Sequence, residues 1–424
     1  MPTALSLGID FGTSGARAIA IDPEARIQSQ VKVSFGTAAD SPKHWQTVLF
    51  ELLLHIPLAV RRQITAVAIN GTSSTVLLCD AQGQPIDSPL LYHDGRGIVV
   101  LPQLQAMAPP QHPVISATSS LAKLLWWLQH RPERIAAAQS PVYFLHQADW
   151  LAFLLHGRLG ISDYHNALKL GYDVAALTYP AWLPPLPVQL PQVVAPGTPI
   201  AAILPEVATS LELPAGCLIC AGTTDSIAAF LASGAQHPGE AVTSLGSTLV
   251  LKLLSETRVD QAEFGVYSHR LGDLWLVGGA SNTGGAVLSQ FFSETELQQL
   301  SQRIVPERPS SLEYYPLLKP GERFPVNDPT LLPCLEPRPS EAVEFLHGLL
   351  ESMARIEAQG YRLLQSLGAS VLTRVYTAGG GAQNDTWTAI RRRHLSVPVV
   401  CSEQVEAAYG TALLAQRGGA AWLS

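Results

Sequence analysis

Apolar positions along the chain fall into short runs of strand length, several of them broken by small polar turns. Near the start, "ALSLGIDF", "GTSG" and "ARAIAID" read as strand, turn and strand. "ITAVAINGTSSTVLLCD" (64–80) repeats that character, and "WQTVLFELLLHIPLAV" (45–60) between them has the spacing and length of a helix. "SSLAKLLWWLQHR" predicts a capped helix and "QADWLAFLLHG" another. From 174 to 216 proline is dense, which predicts an extended surface connection. A second set then begins. "CLICAGTTDSIAAFLASG" (217–234) is a strand running into a helix, and "EAVTSLGSTLVLKLL" (240–254) is again strand, Gly-Ser-Thr turn, strand. "RVYTAGGGAQNDTW" (374–387) carries a strand into a triple-glycine turn before a helix, and "EQVEAAYGTALLAQRG" is the last helix. The alternation, with one such hairpin near the start of each half, predicts a two-domain α/β protein with a cleft between the domains.

Length strengthens that reading, because 424 residues exceed what one hydrophobic core usually serves. The net charge of -7 excludes an electrostatic case for nucleic acid or an anionic membrane surface. No apolar run approaches the roughly 18 residues of a membrane span, and no signal-like segment opens the chain, so the expected location is cytoplasmic. Five scattered cysteines do not make a disulfide framework. Cys217 and Cys220 form a C-x-x-C with no second ligand pair nearby, so they read as buried apolar thiols.

The turns hold the chemistry. Glycine and hydroxyl residues leave backbone N–H groups free and let an anion approach closely. The first turn (Gly12, Thr13, Ser14) adds Arg17, whose guanidinium suits phosphate oxygens, and Asp10. A carboxylate is a poor anion ligand but a good one for Mg²⁺, which completes its shell with water and phosphate. One such turn alone reads first as a plain hairpin. Three together, "GTSG", "LGST" and "AGGGAQN", suggest grips for β/γ-phosphate, for phosphates from the opposite lobe, and for a nucleoside. Neither a P-loop, a dinucleotide fingerprint nor protein-kinase motifs occur. Asp225 opens an apolar helix after a buried-looking strand; it reads either as a first-turn aspartate or as a base for a substrate hydroxyl.

At this point the chain resembles the FGGY carbohydrate kinases over nearly its whole length. The segments that carry the resemblance are "GIDFGTSGARA", "YHDGR" (92–96), "SSLAKLLWW" (119–127), "SDYHNALKLGYD" (162–173), "AGTTD", "SLGST", "GGASNTGGAV" and "AGGGAQNDTW", in the family's order. The resemblance implies a two-lobed actin/hexokinase-like (ribonuclease H-like) fold with an interdomain active-site cleft. Its lobes would be 1–232, for sugar and phosphate, and 233–405, for nucleotide, with a terminal helix in 406–424 able to return to the first. It also implies ATP and Mg²⁺ as cofactors. Asp10 would hold the metal, with Thr13, Ser14 and Arg17 facing the transferring phosphate. Asp225 would be the base, and Ser74 and Asp94 would touch the sugar beside Asp10 and Ser14. Gly246, Ser247 and Thr248 would grip phosphates, and Gly380, Gly381 and Asn384 would line the nucleoside pocket.

The pattern is closest to short D-ribulose kinases, which implies phosphorylation of the C5 hydroxyl of D-ribulose. The alternatives are a D-xylulose kinase, or a non-catalytic sugar or nucleotide sensor on the same scaffold. Expected partners are the sugar and ATP, with no nucleic acid and no membrane, in a monomer or homodimer. Other residues are assigned no role in the chemistry: His165 as a structural histidine, Trp126 and Trp127 as core, and "RRRH" (391–394) as a solvated helix face. Trp387 is placed beside the adenine.

Overall fold

The computed structural model describes residues 4–36, 41–110, 112–138 and 141–418. It contains two compact units: residues up to Ala232 together with the segment from Glu406, and Ser233–Val405.

In the first unit the N-terminal hairpin is β1 (Leu5–Phe11) and β2 (Gly15–Ile21), followed by β3 (Ile27–Ser34) and β4 (Ile64–Gly71). Two short ladders follow, β5 (Val76–Cys79) with β6 (Tyr143–His146), and β7 (Ile161–Asp163) with β8 (Gln192–Val194). β9 (Pro199–Ala202) and β10 (Leu218–Thr224) complete a six-stranded sheet ordered β3-β2-β1-β4-β10-β9. β1 is antiparallel to β2 and parallel to β4, which is parallel to β10. The ends of β1, β4 and β10 therefore lie side by side, and each leads into one of the polar turns.

One face of this sheet is packed by apolar side chains around Trp45, Leu49 and Leu52. The other carries the helix Ala407–Arg417, whose Ala408 and Ala412 meet Ile19 and Ile21. That approach is unusually close. A Cβ on Gly8 of β1 would stand 2.1 Å from the Ala408 carbonyl oxygen, and one on Gly410 would stand 1.9 Å from that of Ala228. Glycine is needed there because backbone occupies the space. A separate apolar cluster gathers around the helix Ser120–His130.

The second unit repeats the plan. Its strands are β11 (Glu240–Leu245), β12 (Leu249–Ser255), β13 (Tyr267–Leu271), β14 (Leu274–Ser281), β15 (Arg374–Ala378) and β16 (Val399–Cys401), ordered β13-β14-β12-β11-β15-β16. β11 is antiparallel to β12 and parallel to β15, as β1 is to β2 and β4. The long helix Ala342–Ser366 runs through the core and contributes Phe345, Leu349, Met353 and Tyr361 to it.

Four expectations change. The 45–60 helix ends at His55, and a separate turn begins after Pro57, which cannot donate a helical hydrogen bond. The second half of 64–80 does not fold back on β4; β5 pairs with β6 instead. The proline-rich stretch is not only a surface connection, since it contains β9 and the helix Pro205–Leu211, with Val207 and Leu211 in the core. The "RRRH" run is not a solvated face: Arg391 is wholly buried against Glu357, and Arg393 and His394 bind the buried Glu351. Buried carboxylates on the facing helix attract these cations inward.

Candidate functional site

The first turn is closed by a hydrogen bond from the Gly12 N–H to the Gly15 carbonyl, 3.0 Å, which leaves Thr13 and Ser14 exposed at its tip. At the end of β4 a second turn spans Thr72–Thr75, closed by the Thr75 N–H on the Thr72 carbonyl at 3.1 Å. Its hydroxyls are fixed from within: Thr72 Oγ1 lies 2.5 Å from Thr75 Oγ1 and 3.2 Å from Gln147 Oε1. Ser74 holds a left-handed backbone, φ 64°, where glycine is the usual occupant. Its Oγ is buried with no partner among the described residues. At the end of β10, Asp225 begins the helix Asp225–Ala232, and its Oδ1 accepts from the Ser226 N–H at 2.7 Å.

These turns converge on a cavity of about 280 Å³ lined by Thr13, Thr72, Ser73, Ser74, Tyr92, Thr118, Lys169 and Asp225. That is small for a ligand pocket, which typically runs to roughly 300–1,000 Å³, and its walls are hydroxyls, one ammonium and one carboxylate. Such a lining matches a small polyhydroxylated molecule rather than an aromatic or acyl group.

Asp10 stands beside this group. It faces Arg17 across the hairpin and Asn70 on the other side. Burial, and then the charge of Asp225, push its carboxyl up to about 6, with Arg17 and an Asn70 hydrogen bond acting in the opposite sense. The Arg17 guanidinium pairs with Glu406, just ahead of the returning helix. Asp94 lies outside the cavity lining. Its carboxylate takes Arg96 Nε and Nη2, each at 2.9 Å, and Arg96 in turn stacks over Trp126, 4.6 Å from the ring centroid.

The second unit brings its two glycine turns together. β11 ends in Gly246-Ser247-Thr248, and β15, directly beside it, ends in Gly379-Gly380-Gly381. Gly246 and Ser247 accept from the N–H groups of Gly285 and Ala286 at 2.8 and 3.1 Å. Gly379, with φ 87°, sits so near β11 that a Cβ would be 2.6 Å from the Leu245 oxygen. Asn384 does not present a free amide. Its Oδ1 caps the Trp387 N–H at 2.9 Å, and its Nδ2 donates to Ser301 Oγ at 2.8 Å. Trp387 is 3% exposed and packs into the core against Gly381. His165, buried, lies 2.7 Å from Thr223 Oγ1 through its Nδ1. Trp127 is buried; Trp126 is only partly so.

Sequence reasoning passed over Lys169, Thr72 and Thr118. The one available signal was a lysine inside the otherwise apolar "NALKLGY"; the threonines carry none, because only the fold brings them to the cavity.

Solved structures share this architecture. The crystal structure of a xyloylose kinase from Brucella ovis superposes with a TM-score of 0.84 at 23% identity, covering 98% of this chain and 90% of that one. The fold is thus that of sugar kinases. Residues 5–232 match the N-terminal domain of the FGGY family of carbohydrate kinases and 241–418 match its C-terminal domain, so the chain belongs to that family. Among relatives, a xylulose kinase of Bacillus subtilis is 24% identical over 97% of this chain and 88% of its own length. One from Streptomyces coelicolor is 31% identical over 60% of this chain and 55% of its own. Among the described residues no helix is long and apolar enough to cross a membrane.

Proposed function

We propose that the protein is an ATP-dependent pentulose kinase of the cytoplasm that phosphorylates the C5 hydroxyl of D-ribulose. The observation that carries this reading is the hydroxyl-lined cavity in which Asp225, Ser74, Lys169 and the phosphate-turn residue Thr13 meet. The sugar's hydroxyls would bond to Ser74 Oγ, which has no partner among the described residues, and to the lining ammonium of Lys169. Asp225 would accept the proton of the C5 hydroxyl as its oxygen attacks the γ-phosphorus and the bond to the ADP oxygen breaks. Thr13 and Ser14 would receive the transferring group, while the Gly246–Thr248 turn and Gly380–Gly381 would hold the nucleotide.

Asp10 fits a divalent metal, because a carboxyl whose charge is disfavoured by burial and then by the neighbouring Asp225 is what a cation relieves. Bound there, Mg²⁺ would neutralise phosphate charge. D-xylulose is the second reading, favoured by the relatives that bear the name xylulose kinase.

ADP release from Mg-ATP, first without sugar and then with D-ribulose, D-xylulose, L-ribulose or glycerol, tests both. A dominant response to D-ribulose supports the proposal. A dominant response to D-xylulose replaces the substrate, and no response to any sugar refutes catalysis.

A further inference from the structure

Lys123 lies on the helix Ser120–His130 with no exposed surface. Lysine is rarely buried without a carboxylate, and no ion pair engages this one among the described residues. Its Nζ donates instead to backbone carbonyls: Ser74 at 2.7 Å, Leu91 at 2.6 Å and, more weakly, Tyr92 at 3.5 Å. Two of those three residues line the cavity. The third element in the arrangement is the backbone of Ser74, left-handed at a position where most side chains avoid that conformation. Such strain persists only where surrounding structure over-determines it. Here the Thr75-to-Thr72 hydrogen bond closes the turn and the Lys123 ammonium fixes the carbonyl of its strained residue. The same ammonium joins that turn to the segment bearing Tyr92, whose N–H donates to Thr75 Oγ1 at 3.0 Å.

We infer that Lys123 is the positioning residue of the sugar pocket: by gathering the carbonyls of Ser74, Leu91 and Tyr92 it aims the unpartnered Ser74 hydroxyl at the sugar. Lys123 itself touches no substrate. The inference rests on the pocket being the sugar site, and it adds a specificity determinant that acts through the backbone. A neutral helix residue there that cannot donate would leave the carbonyl of Ser74 unpaired and that of Leu91 with the Asp94 N–H alone, at 2.9 Å, and the strained turn would relax toward an ordinary conformation.

The test is a double-mutant cycle with Lys123→Met, Ser74→Ala and the double variant, using whichever ketopentose the ADP-release assay selects. Ser74→Ala is expected to raise the sugar KM about tenfold, the loss of roughly one hydrogen bond. Lys123→Met is expected to raise it as much or more while the KM for ATP stays within about twofold. The double variant should be no worse than Lys123→Met, because both act through one hydroxyl. Multiplying effects, or equal losses for sugar and ATP, would overturn the inference; so would a lower melting temperature with an unchanged sugar KM. An unchanged sugar KM in Ser74→Ala would instead overturn the pocket assignment, and this inference with it. If Lys123→Met does not fold, Lys123→Gln, which keeps an amide donor, carries the same measurement.

Discussion

Arg391 and Glu357 tie together β11 and β15, the strands that lead into the two glycine turns of the second unit, and removing one partner gives a test with a calculable size. Arg391 Nε and Nη2 donate to the two Glu357 oxygens at 2.6 and 2.7 Å, and Nη1 donates to Thr377 Oγ1 at 2.7 Å. Glu357 also accepts from Thr243 Oγ1 at 2.6 Å. Thr243 and Thr377 are register partners on β11 and β15, three residues before Gly246 and two before Gly379. Arg391→Met keeps the aliphatic volume but strands a carboxylate that is 1% exposed. Breaking a buried pair from one side costs about 3–5 kcal/mol. For a unit of this size each kcal/mol lowers the midpoint by about 2–4 °C, so its transition should fall by roughly 6–20 °C. Differential scanning calorimetry is the assay, since two units can unfold in separate transitions. The KM for ATP should rise as well, because the strand ends carrying both turns lose their common tie. The double variant Arg391→Met/Glu357→Leu should recover most of the stability, as replacing both charges removes the stranded one. A single variant melting within about 3 °C of wild type would refute the reasoning.

On the role proposed for Asp225 as the base, Asp225→Asn should lower kcat about 10²–10⁴-fold with little change in sugar KM; steady-state kinetics decide it. Glu351 is held at about 2: burial works against its charge, and hydrogen bonds from His394 and Arg393 outweigh it. Its stabilisation is therefore complete above the ordinary value of 4.5 and lost as pH falls toward 2. A shift of that size is worth about 3 kcal/mol, so Glu351→Gln should melt lower at pH 7 and converge on wild type in acid. Gly410→Ala should destabilise the first unit by about 1–3 kcal/mol or more, because the new methyl meets the Ala228 backbone rather than a movable side chain; a denaturant titration measures it.

Much of the candidate site could be read from local pattern. Glycine and hydroxyl residues between apolar runs locate the turns after β1 and β11, where the strand partner is the next segment in the chain. Reading failed where the deciding contact lies far away in sequence. Arg391 is drawn inside by Glu357, a residue 34 positions earlier on another helix, so its run of basic residues looks solvated when taken alone. β5 has the pattern of a hairpin partner for β4, yet the competing strand β6 begins at Tyr143. Lys169 and Thr118 come from segments with no nucleotide-like signature. Ser74 was legible as a hydroxyl but not as a left-handed residue, since nothing in "NGTSST" marks which position bends.

The helix Ala407–Arg417 closes over β1, its backbone at Ala408 and Ala412 set against Gly8. A ribosome makes this chain from the other end. β1, β2 and β4 emerge first, and the face of their sheet that this helix covers stays bare while the whole of Ser233–Val405 is being synthesised. The first unit is thus the last to be finished, and a polypeptide cut short anywhere before Glu406 leaves the small-residue face of this sheet open to water and to other chains.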